Sequence, residues 1–371
     1  MNQPPRTARA DELQLQPQPL AHATALPAHF YVDAAAPARD ARAMFARHWQ
    51  LACHQSRLAG VGDHVVLEIA GVPIIVLRSD TDTLRAFHNV CRHRAGPLAR
   101  CDGLGAKALR CKYHGWTYGL DGQLKAATEM KDVEDFDVSS IHLPEARVQL
   151  WQGLVFVALG EAPPFDQLVD GIDARLGANH DLASLQFHHR THYDVACDWK
   201  AYVDNYLEGY HVPHIHPELN KLLDYRSYVT TTMRWHSLQF SPLESSDGLY
   251  GSGEALYYFI YPNTMLNILP GRLQTNRVLS LGPGRCRIEF DFYYRAPSGA
   301  DDAEAAAARR AADLAFSDDV QLEDVTICED VQRGLASGSY EAGRLNPLRE
   351  NAVHHFHELL RADYRHDEGI A

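Results

Sequence analysis

The chain has 371 residues, of which 46% are hydrophobic and 22% charged, ordinary values for a globular protein of one large or two smaller domains. Its formal net charge is -13 and no segment concentrates lysine and arginine, which argues against nucleic acid or an anionic membrane as a partner. No apolar run approaches the roughly 20 residues of a membrane span, and the N-terminus lacks the apolar core of a secretion signal, so we expect a cytoplasmic protein.

The first part of the chain changes from a polar extension to a β-rich region. Residues 1–37 begin with a stretch rich in Pro, Gln and Ala, and we expect them to be mostly disordered. Apolar residues at helical spacing predict a helix over 38–50. Short β-type runs separated by Gly, Pro and Asp turns then fill 51–160, which is typical of a small antiparallel β domain. The first domain is therefore placed at 38–160, with the helix leading it.

Residues 161–371 form the predicted second domain. A helix is predicted over 197–211, ended by Pro213 because proline has no backbone N–H with which to continue it. Strand-like runs return over about 228–296 and predict an antiparallel sheet. The remaining predicted elements are an Ala-rich helix at 302–316 and a second helix at 318–335. The expected fold class is α+β, with a small antiparallel β domain and a larger domain whose antiparallel sheet is flanked by helices.

Two Cys/His motifs in the first domain predict an iron–sulfur cluster. Cys91-x-His93 and Cys111-x-x-His114 each follow a β-type run, so each of two loops supplies one thiolate and one imidazole. A Rieske centre needs this set, because two histidines replace two cysteines on one of its irons. One zinc ion could use the same four side chains, although zinc fingers usually pair CxxC with HxxxH. The other cysteines, expected to be ordinary apolar residues, are Cys53, Cys101, Cys197, Cys286 and Cys328.

The stretch Glu208-x-x-His211-x-x-x-x-His216 predicts a second metal site. Non-haem iron(II) that activates oxygen is typically bound by two histidines and one carboxylate, which leaves positions open for O₂ and substrate. His214 could also be a ligand by composition, but we expect its side chain to point away from the pair. The alternative for the whole segment is a polar turn with incidental histidines.

The predicted helix at 318–335 offers a carboxylate as the third ligand of this site. Asp324 lies on the apolar stripe of that helix, whereas Glu329 and Asp330 fall on the other face and are expected to be solvated. The residues that form the stripe are Val320, Ile327, Cys328, Val331 and Leu335. An inward carboxylate needs a partner, and periodicity alone fits a metal ion and a salt bridge to a core arginine equally well.

Glu208 is a candidate for orienting a ligand. It lies one predicted helical turn before His211 on the same face, from which its carboxylate could fix the ring of a ligand histidine. The alternative is an ion pair with Lys200 or Arg226.

With both motifs in place, the chain resembles the α subunit of Rieske non-haem iron oxygenases, the family that hydroxylates aromatic rings and oxidises quaternary amines. The resemblance covers about residues 40–360. It rests on the stretches CRHRAGPLARC, CKYHGWTYGLDGQL, DWKAYVDNYLEGYHVPHIHP, YYFIYPNTMLNILPG and VQLEDVTICEDVQRGL. It implies that Cys91, His93, Cys111 and His114 hold a [2Fe–2S] cluster and that His211, His216 and Asp324 hold a mononuclear iron(II). The similarity selects Asp324 over its neighbour Glu323.

The resemblance also implies an assembly. Family members are trimers or multiples of trimers in which each cluster serves the iron of the neighbouring subunit, so Glu208 of one subunit would meet His114 of the next. Asn205 resembles an asparagine near the mononuclear iron, although it could equally be a helix residue without metal contact. The chain has no GxGxxG after a strand and no plant-type cluster motif, so a separate NAD(P)H-dependent reductase or ferredoxin is expected to supply electrons.

The leading function is therefore an oxygenase that uses O₂ to hydroxylate or demethylate a small organic substrate, with an aromatic ring compound as the main expectation. A methylated amine or betaine is the alternative, to which Glu208 and the wording NYLEGYH point. Tyr257, Tyr258, Phe259 and Tyr261 could form a cage for a quaternary ammonium, although strand aromatics are more often packing residues. Two other classes are a Rieske electron carrier without oxygen chemistry and a zinc hydrolase.

Overall fold

A computed structural model describes residues 13–177, 180–223, 225–243, 250–251, 253–297 and 299–370. The chain divides into two compact units. The catalytic unit, as we name it, comprises 1–44, 166–181 and 188–371, and the cluster unit comprises 45–165 and 182–187.

The cluster unit is built from short antiparallel strands, as predicted. Its strands are β1 (Gln50–His54), β2 (His64–Ile69), β3 (Val72–Arg78), β4 (Leu84–His88), β5 (Leu109–Arg110), β6 (Thr117–Tyr118), β7 (Leu124–Ala126), β8 (Glu145–Trp151) and β9 (Leu154–Ala158). They form a six-stranded sheet of order β1-β9-β8-β4-β3-β2 and a three-stranded sheet β5-β6-β7. Single-turn 3-10 helices lie at Gln55–Leu58, Val138–Ser140 and Leu182–Ser184.

Local sequence explains the tightest hairpin of this unit. Ile69 pairs with Val72, so only Ala70 and Gly71 connect β2 to β3. Both residues have positive φ, 51° and 80°, which is the backbone twist that a two-residue hairpin requires. The hairpin brings alternate apolar residues of β2 and β3, among them Val65 and Val76, into one buried cluster.

The described residues of the catalytic unit form a seven-stranded sheet. Its strands are β10 (Gln186–Val195), β11 (Val229–Thr232), β12 (His236–Leu243), β13 (Gly253–Ile260), β14 (Thr264–Leu269), β15 (Arg272–Gly282) and β16 (Arg285–Tyr294), in the order β10-β16-β15-β14-β13-β12-β11. Consecutive strands from β11 to β16 pair antiparallel, which confirms the sheet predicted over 228–296.

Helices accompany this sheet, and the predicted α+β class is confirmed. They are α1 (His29–Val32), α2 (Ala36–Asp40), α3 (Phe165–Leu168), α4 (Ile172–Leu176), α5 (Trp199–Tyr206), α6 (Val212–Ile215), α7 (Leu219–Leu222), α8 (Ala300–Ala336) and α9 (Asn351–Glu368). The described residues also include a 3-10 turn at Leu20–His22 and a π-helical turn at Ala41–Phe45. No helix was predicted for the residues of α9. None of the described helices combines the length and the apolar character that a membrane span needs.

The N-terminal segment differs from the disordered extension expected for 1–37. Residues 1–12 lie outside the described part of the chain, but from residue 13 onward the segment carries buried side chains such as Leu15, Leu26 and Phe30. Tyr31 donates a 2.7 Å hydrogen bond to Asp204 on α5. Apolar burial of this kind offsets the entropy of ordering the segment.

The first domain also begins later than the predicted residue 38. Asp40 is fully buried and accepts hydrogen bonds from Trp199 Nε1 at 2.8 Å and from Lys200 Nζ at 2.5 Å, both on α5. Because a buried charge is stable only when it is paired, this network holds residues 36–44 in the catalytic unit. The helix predicted over 38–50 is correspondingly shorter, and Gln50 already lies in β1.

Two helix predictions in the catalytic unit are wrong in their limits. The helix expected over 197–211 ends at Tyr206, and Pro213 lies in the first turn of α6 rather than ending a helix, because proline suits that position. The two helices expected at 302–316 and 318–335 are one continuous helix, α8. On α8, Val331 is 46% exposed and Gln332 is buried instead, since its Oε1 accepts the backbone N–H of Asp198 at 2.9 Å.

Candidate metal sites

The loops after β4 and β5 fold into the same turn. Cys91 N–H donates to Gly96 O at 2.9 Å and Ala95 N–H to Cys91 O at 3.0 Å; Cys111 N–H donates to Trp116 O at 2.9 Å and Gly115 N–H to Cys111 O at 3.0 Å. Ala95 and Gly115, at equivalent positions, have φ of 57° and 74°. Both loops therefore present a cysteine and a histidine in matching backbone geometry.

These loops bring the four predicted cluster ligands together in the cluster unit. Cys91 and Cys111 are 3% and 2% exposed, and the ring centroids of His93 and His114 lie 4.6 Å apart. His93 Nδ1 is buried and has no hydrogen-bond partner, an arrangement that a metal bond to this nitrogen would satisfy. The Tyr118 hydroxyl accepts the Arg92 backbone N–H at 3.0 Å and contacts Cys91 Sγ at 3.3 Å, as expected for a donor to a thiolate.

A glycine at position 96 allows the two cluster loops to approach each other. Gly96 is needed here, since a Cβ on it would lie 2.9 Å from Cys111 Sγ. In the part of the chain that the structure describes, only His211, His216 and Asp324 bring three potential ligand atoms within 4.8 Å of one another. These three side chains form a second, separate set of donors.

The second set of donors lies in the catalytic unit around α6. His211 precedes α6 and His216 follows it, so this short helix folds both imidazoles to one side, with ring centroids 5.0 Å apart. Gly209 permits the turn between α5 and α6, because a Cβ there would lie 2.7 Å from the Tyr228 ring. His214 is exposed and lies outside the group of three, as expected.

A carboxylate holds each of these imidazoles through Nδ1. Glu208 Oε1 lies 2.6 Å from His211 Nδ1, and Glu323 Oε2 lies 2.7 Å from His216 Nδ1. The opposite nitrogens approach Asp324 Oδ1, with distances of 3.0 Å for His216 Nε2 and 3.8 Å for His211 Nε2. Both Nε2 atoms and the Asp324 carboxylate are thus aimed at one region, which is the donor set that non-haem iron(II) takes.

Electrostatics in this group favour a cation. Burial alone lowers the pKa of His216, but the hydrogen bonds and charges of Asp324 and Glu323 outweigh it and raise the pKa above its ordinary value. The positive charge that the carboxylates favour on an imidazolium can be supplied instead by a bound metal ion.

The structure decides between the alternatives that the sequence left open for Asp324, Asn205 and Glu208. Asp324 contacts His216, His211 and Asn205, and its described contacts include no core arginine. Asn205 Nδ2 donates to Asp324 Oδ1 at 2.6 Å, so Asn205 positions the carboxylate. Lys200, one alternative partner of Glu208, is fully buried with Asp40 and Asp198 instead.

Some functional contacts were not predicted. The sequence favoured Asp324 over Glu323 as the ligand, yet Glu323 contacts His216 at Nδ1, the nitrogen that faces away from Asp324. The position of Glu323 next to Asp324 in the sequence was the only signal that could have indicated this role. Among the cysteines expected to be apolar, Cys101 is exposed while Cys53, Cys197, Cys286 and Cys328 are buried. Glu329, expected to be solvated, accepts the Ala196 backbone N–H at 3.0 Å.

A cavity in the catalytic unit adjoins His211, His216 and Asp324. Much of its lining is aromatic: Tyr206, Tyr228, Tyr250, Tyr257, Phe290 and Phe316. Of the four aromatics predicted as a cage, only Tyr257 lines the cavity. The others are packing residues, since Tyr258 lies against His236, and Phe259 and Tyr261 lie against Phe356.

Comparisons with known proteins match both units. Residues 48–137 match the Rieske [2Fe-2S] domain family, and residues 182–365 match the ring hydroxylating alpha subunit (catalytic domain) family. The chain is 37% identical to chloroplastic choline monooxygenase of Arabidopsis thaliana over 359 residues, 92% of this chain and 83% of that protein. It is 29% identical to the carnitine monooxygenase oxygenase subunit of Escherichia coli (strain K12), covering 90% of this chain and 92% of that protein. The solved structure of a quaternary ammonium Rieske monooxygenase, described for carnitine oxidation and inter-subunit electron transfer, superposes with a TM-score of 0.83 at 26% identity, covering 94% of this chain and 99% of that one.

Proposed function

Since the chain belongs to the Rieske non-haem iron oxygenases, with a Rieske domain and a ring-hydroxylating α-subunit catalytic domain, we propose that it monooxygenates a quaternary ammonium compound. Its relatives are named for choline and carnitine, both quaternary ammonium compounds. They favour a quaternary amine as substrate over the aromatic ring compound that was the main expectation from the sequence. Family membership also removes the plain electron carrier and the zinc hydrolase from consideration.

The cavity beside the three candidate iron ligands carries this proposal. Its aromatic rings offer the faces to which a quaternary ammonium binds by cation–π attraction. The Tyr206 and Tyr228 hydroxyls donate to Asn267 Oδ1 and Gln239 Oε1, at 2.7 and 3.0 Å, and both acceptors also line the cavity. Because these hydroxyls are already paired, the rings are the groups that the two tyrosines offer to a ligand. Burial raises the pKa of Tyr257 to about 12, which keeps this phenol neutral.

The charge of the lining supports a cationic substrate as well. Among the described lining residues, Arg272 is the single lysine or arginine, and it is paired with Asp313. Glu208 and Asp324 contribute carboxylates to the same lining. A cation therefore meets rings and carboxylates there, whereas a neutral arene would gain from the rings alone.

His211, His216 and Asp324 would hold the iron, and the four loop residues would hold the cluster. When bound, the iron supplies O₂ activation and the cluster supplies electrons for it. Glu208 and Glu323 accept the Nδ1–H protons and so keep both Nε2 atoms available. Asn205 fixes the rotamer of Asp324 through its hydrogen bond. The aromatic lining binds the ammonium group and excludes water from the reacting carbon.

The proposed assembly is a homotrimer served by a separate NAD(P)H-dependent reductase or ferredoxin. Within it, Glu208 of one subunit would link to His114 of the next. An exposed apolar residue supports a neighbouring subunit at this place. Val331 is 46% exposed and lines a second cavity, distinct from the aromatic one, to which Glu208 and His211 also contribute. The solved relative is described for inter-subunit electron transfer, in line with this arrangement.

The test is product formation by anaerobically purified, iron-loaded and chemically reduced protein exposed to O₂. Choline, carnitine and glycine betaine are compared with naphthalene and toluene, with the Asp324→Ala variant as the inactive control. We expect O₂ uptake matched by oxidised amine and no oxidised arene. Stoichiometric arene oxidation without amine oxidation would refute the proposal.

A further inference from the structure

The cavity beside the candidate iron ligands has a polar section that the aromatic cage does not explain. Arg272, Gln274 and Asn276 alternate along β15 and therefore share one face of the sheet, and all three line the cavity. Ser317 and Gln321 of α8 line it too. These groups are suited to hydrogen bonding with a second functional group of the substrate.

The positive charge of this section is already neutralised. Arg272 Nε donates to Asp313 Oδ2 at 2.6 Å, and Arg272 Nη2 donates to Gln274 Oε1 at 2.9 Å. Both members of the ion pair are buried, with side chains 6% and 5% exposed. Asp313 Oδ1 also accepts the Tyr250 hydroxyl at 2.9 Å. A substrate carboxylate would therefore meet an Arg272–Asp313 pair of zero net charge rather than an uncompensated guanidinium.

Two polar atoms of this section have no partner. Asn276 Oδ1, an acceptor, and Gln321 Nε2, a donor, are buried and make no hydrogen bond, and each residue is 2% exposed. Gln321 Oε1 accepts the Tyr202 hydroxyl at 2.7 Å, and its NH₂ group is the one left over. Buried polar atoms without partners are rare in folded proteins, so both are candidates for ligand contacts.

We propose that Asn276 and Gln321 form a hydroxyl-binding subsite, which selects a quaternary ammonium alcohol over its carboxylate counterpart. A hydroxyl both donates and accepts, so it can satisfy Asn276 Oδ1 and Gln321 Nε2, whereas a carboxylate only accepts and leaves Asn276 Oδ1 unpaired. The inference rests on the proposed function and names the substrate class of the same cavity. In this subsite Asn276 and Gln321 determine specificity, and Asp313 keeps Arg272 from attracting carboxylates.

The first test compares kcat/KM of the holoenzyme for three trimethylammonium compounds: choline, glycine betaine and propyltrimethylammonium, which lacks the hydroxyl. We expect choline to exceed each of the others at least tenfold. Asn276→Ala should lower the ratio of choline to propyltrimethylammonium at least tenfold, with iron and cluster content measured to show that the variant is folded. An unchanged ratio in that variant overturns the subsite.

The second test concerns charge. Asp313→Asn leaves the Arg272 charge uncompensated, and it should raise the ratio of glycine betaine to choline at least tenfold. Asp318→Asn is the matched control on the same helix, because Asp318 accepts the Tyr193 hydroxyl and does not line the cavity; its ratio should stay at the wild-type value. If Asp313→Asn does not fold, the wild-type and Asn276→Ala ratios decide.

The outcomes separate the two proposals. A wild-type preference for glycine betaine over choline overturns the subsite and leaves the quaternary ammonium function standing. Absence of coupled oxidation for all three compounds removes that function, and the subsite with it.

Discussion

Asn205 Nδ2 donates a 2.6 Å hydrogen bond to Asp324 Oδ1, the same oxygen that lies 3.0 Å from His216 Nε2. Asn205 is on α5 and Asp324 on α8, so one hydrogen bond ties together the two helices that supply the candidate iron site. The bond restricts the Asp324 carboxylate to one orientation and leaves a lone pair of Oδ1 available.

Loss of this hydrogen bond should weaken the binding of mononuclear iron. For Asn205→Ala we expect a 10–100-fold weaker affinity for mononuclear iron, the range typical of lost outer-sphere partners. Iron titration followed by O₂ uptake measures the effect, and the visible spectrum of the cluster serves as the internal control. Wild-type iron affinity in the variant would contradict a positioning role.

Removing the carboxylate itself should have a larger and more selective effect. Asp324→Ala should lose the mononuclear iron, as determined by metal analysis, while the cluster's visible spectrum persists because the cluster ligands lie in the other unit. Asp330→Ala, on the same helix, is the control, since Asp330 is exposed and pairs with Arg333. Full iron occupancy in Asp324→Ala would exclude this aspartate as a ligand.

When iron is supplied at saturating concentration, Glu208→Gln should contain both metal centres and lose most of the turnover, by at least tenfold. The glutamine can still accept the His211 backbone N–H, which donates at 3.0 Å, but it has no charge with which to couple the His211 ring to a neighbouring subunit. Steady-state rates and the coupling of O₂ uptake to product are measured. Glu218→Gln, an exposed carboxylate paired with Lys221, is the control. Normal turnover in Glu208→Gln would refute the bridge.

Glu323→Gln should weaken iron binding through His216. The glutamate accepts from His216 Nδ1 at 2.7 Å and fixes the tautomer that leaves Nε2 free; the amide can present its NH₂ group instead and lose that preference. We expect a loss of iron affinity of about tenfold, measured by competition with a chelator. Glu329→Gln on the same helix should bind iron like the wild type, because its amide oxygen can still accept the Ala196 N–H.

Stability of the cluster unit should depend on pH through His54. This histidine is fully buried, and its burial lowers the pKa to about 4. Below about pH 6.5, His54 is protonated in the unfolded chain but stays neutral in the folded chain. The free energy of unfolding therefore decreases as the pH falls from about 6.5 to 4. The neutral ring is satisfied, with Ser56 N–H donating to Nδ1 and Nε2–H donating to Leu182 O, both at 3.1 Å.

We therefore expect the wild type to lose about 2 kcal/mol more stability than His54→Asn between pH 7.5 and pH 5. Unfolding of both proteins at the two pH values measures the difference, in which the titration of all other groups cancels. Equal losses in the two proteins would show that His54 does not titrate in this range.

The local patterns of the sequence were sufficient for the two metal motifs and for most strands. Cys91, His93, Cys111 and His114 lie within two short loops, and His211 and His216 flank one turn of helix, so spacing along the chain nearly fixes their proximity. Strands such as β2 and β3 follow from alternating side chains and a two-residue turn, which are also local properties.

Other features depended on which side chains distant elements bring together. Glu323 and Asp324 are adjacent in sequence, yet one holds His216 Nδ1 and the other approaches its Nε2, a division set by the orientation of α8. The ion pair between Arg272 and Asp313 depends in the same way on the register of the sheet and on α8. The same holds for Tyr257, which alone among the neighbouring predicted aromatics lines the cavity. The sequence by itself thus determined the chemistry that the chain carries, because metal ligands recur at short spacing. Only the tertiary structure decided which carboxylate serves which imidazole and what lines the cavity, because those contacts join residues about 40 to 120 positions apart whose directions no local pattern encodes.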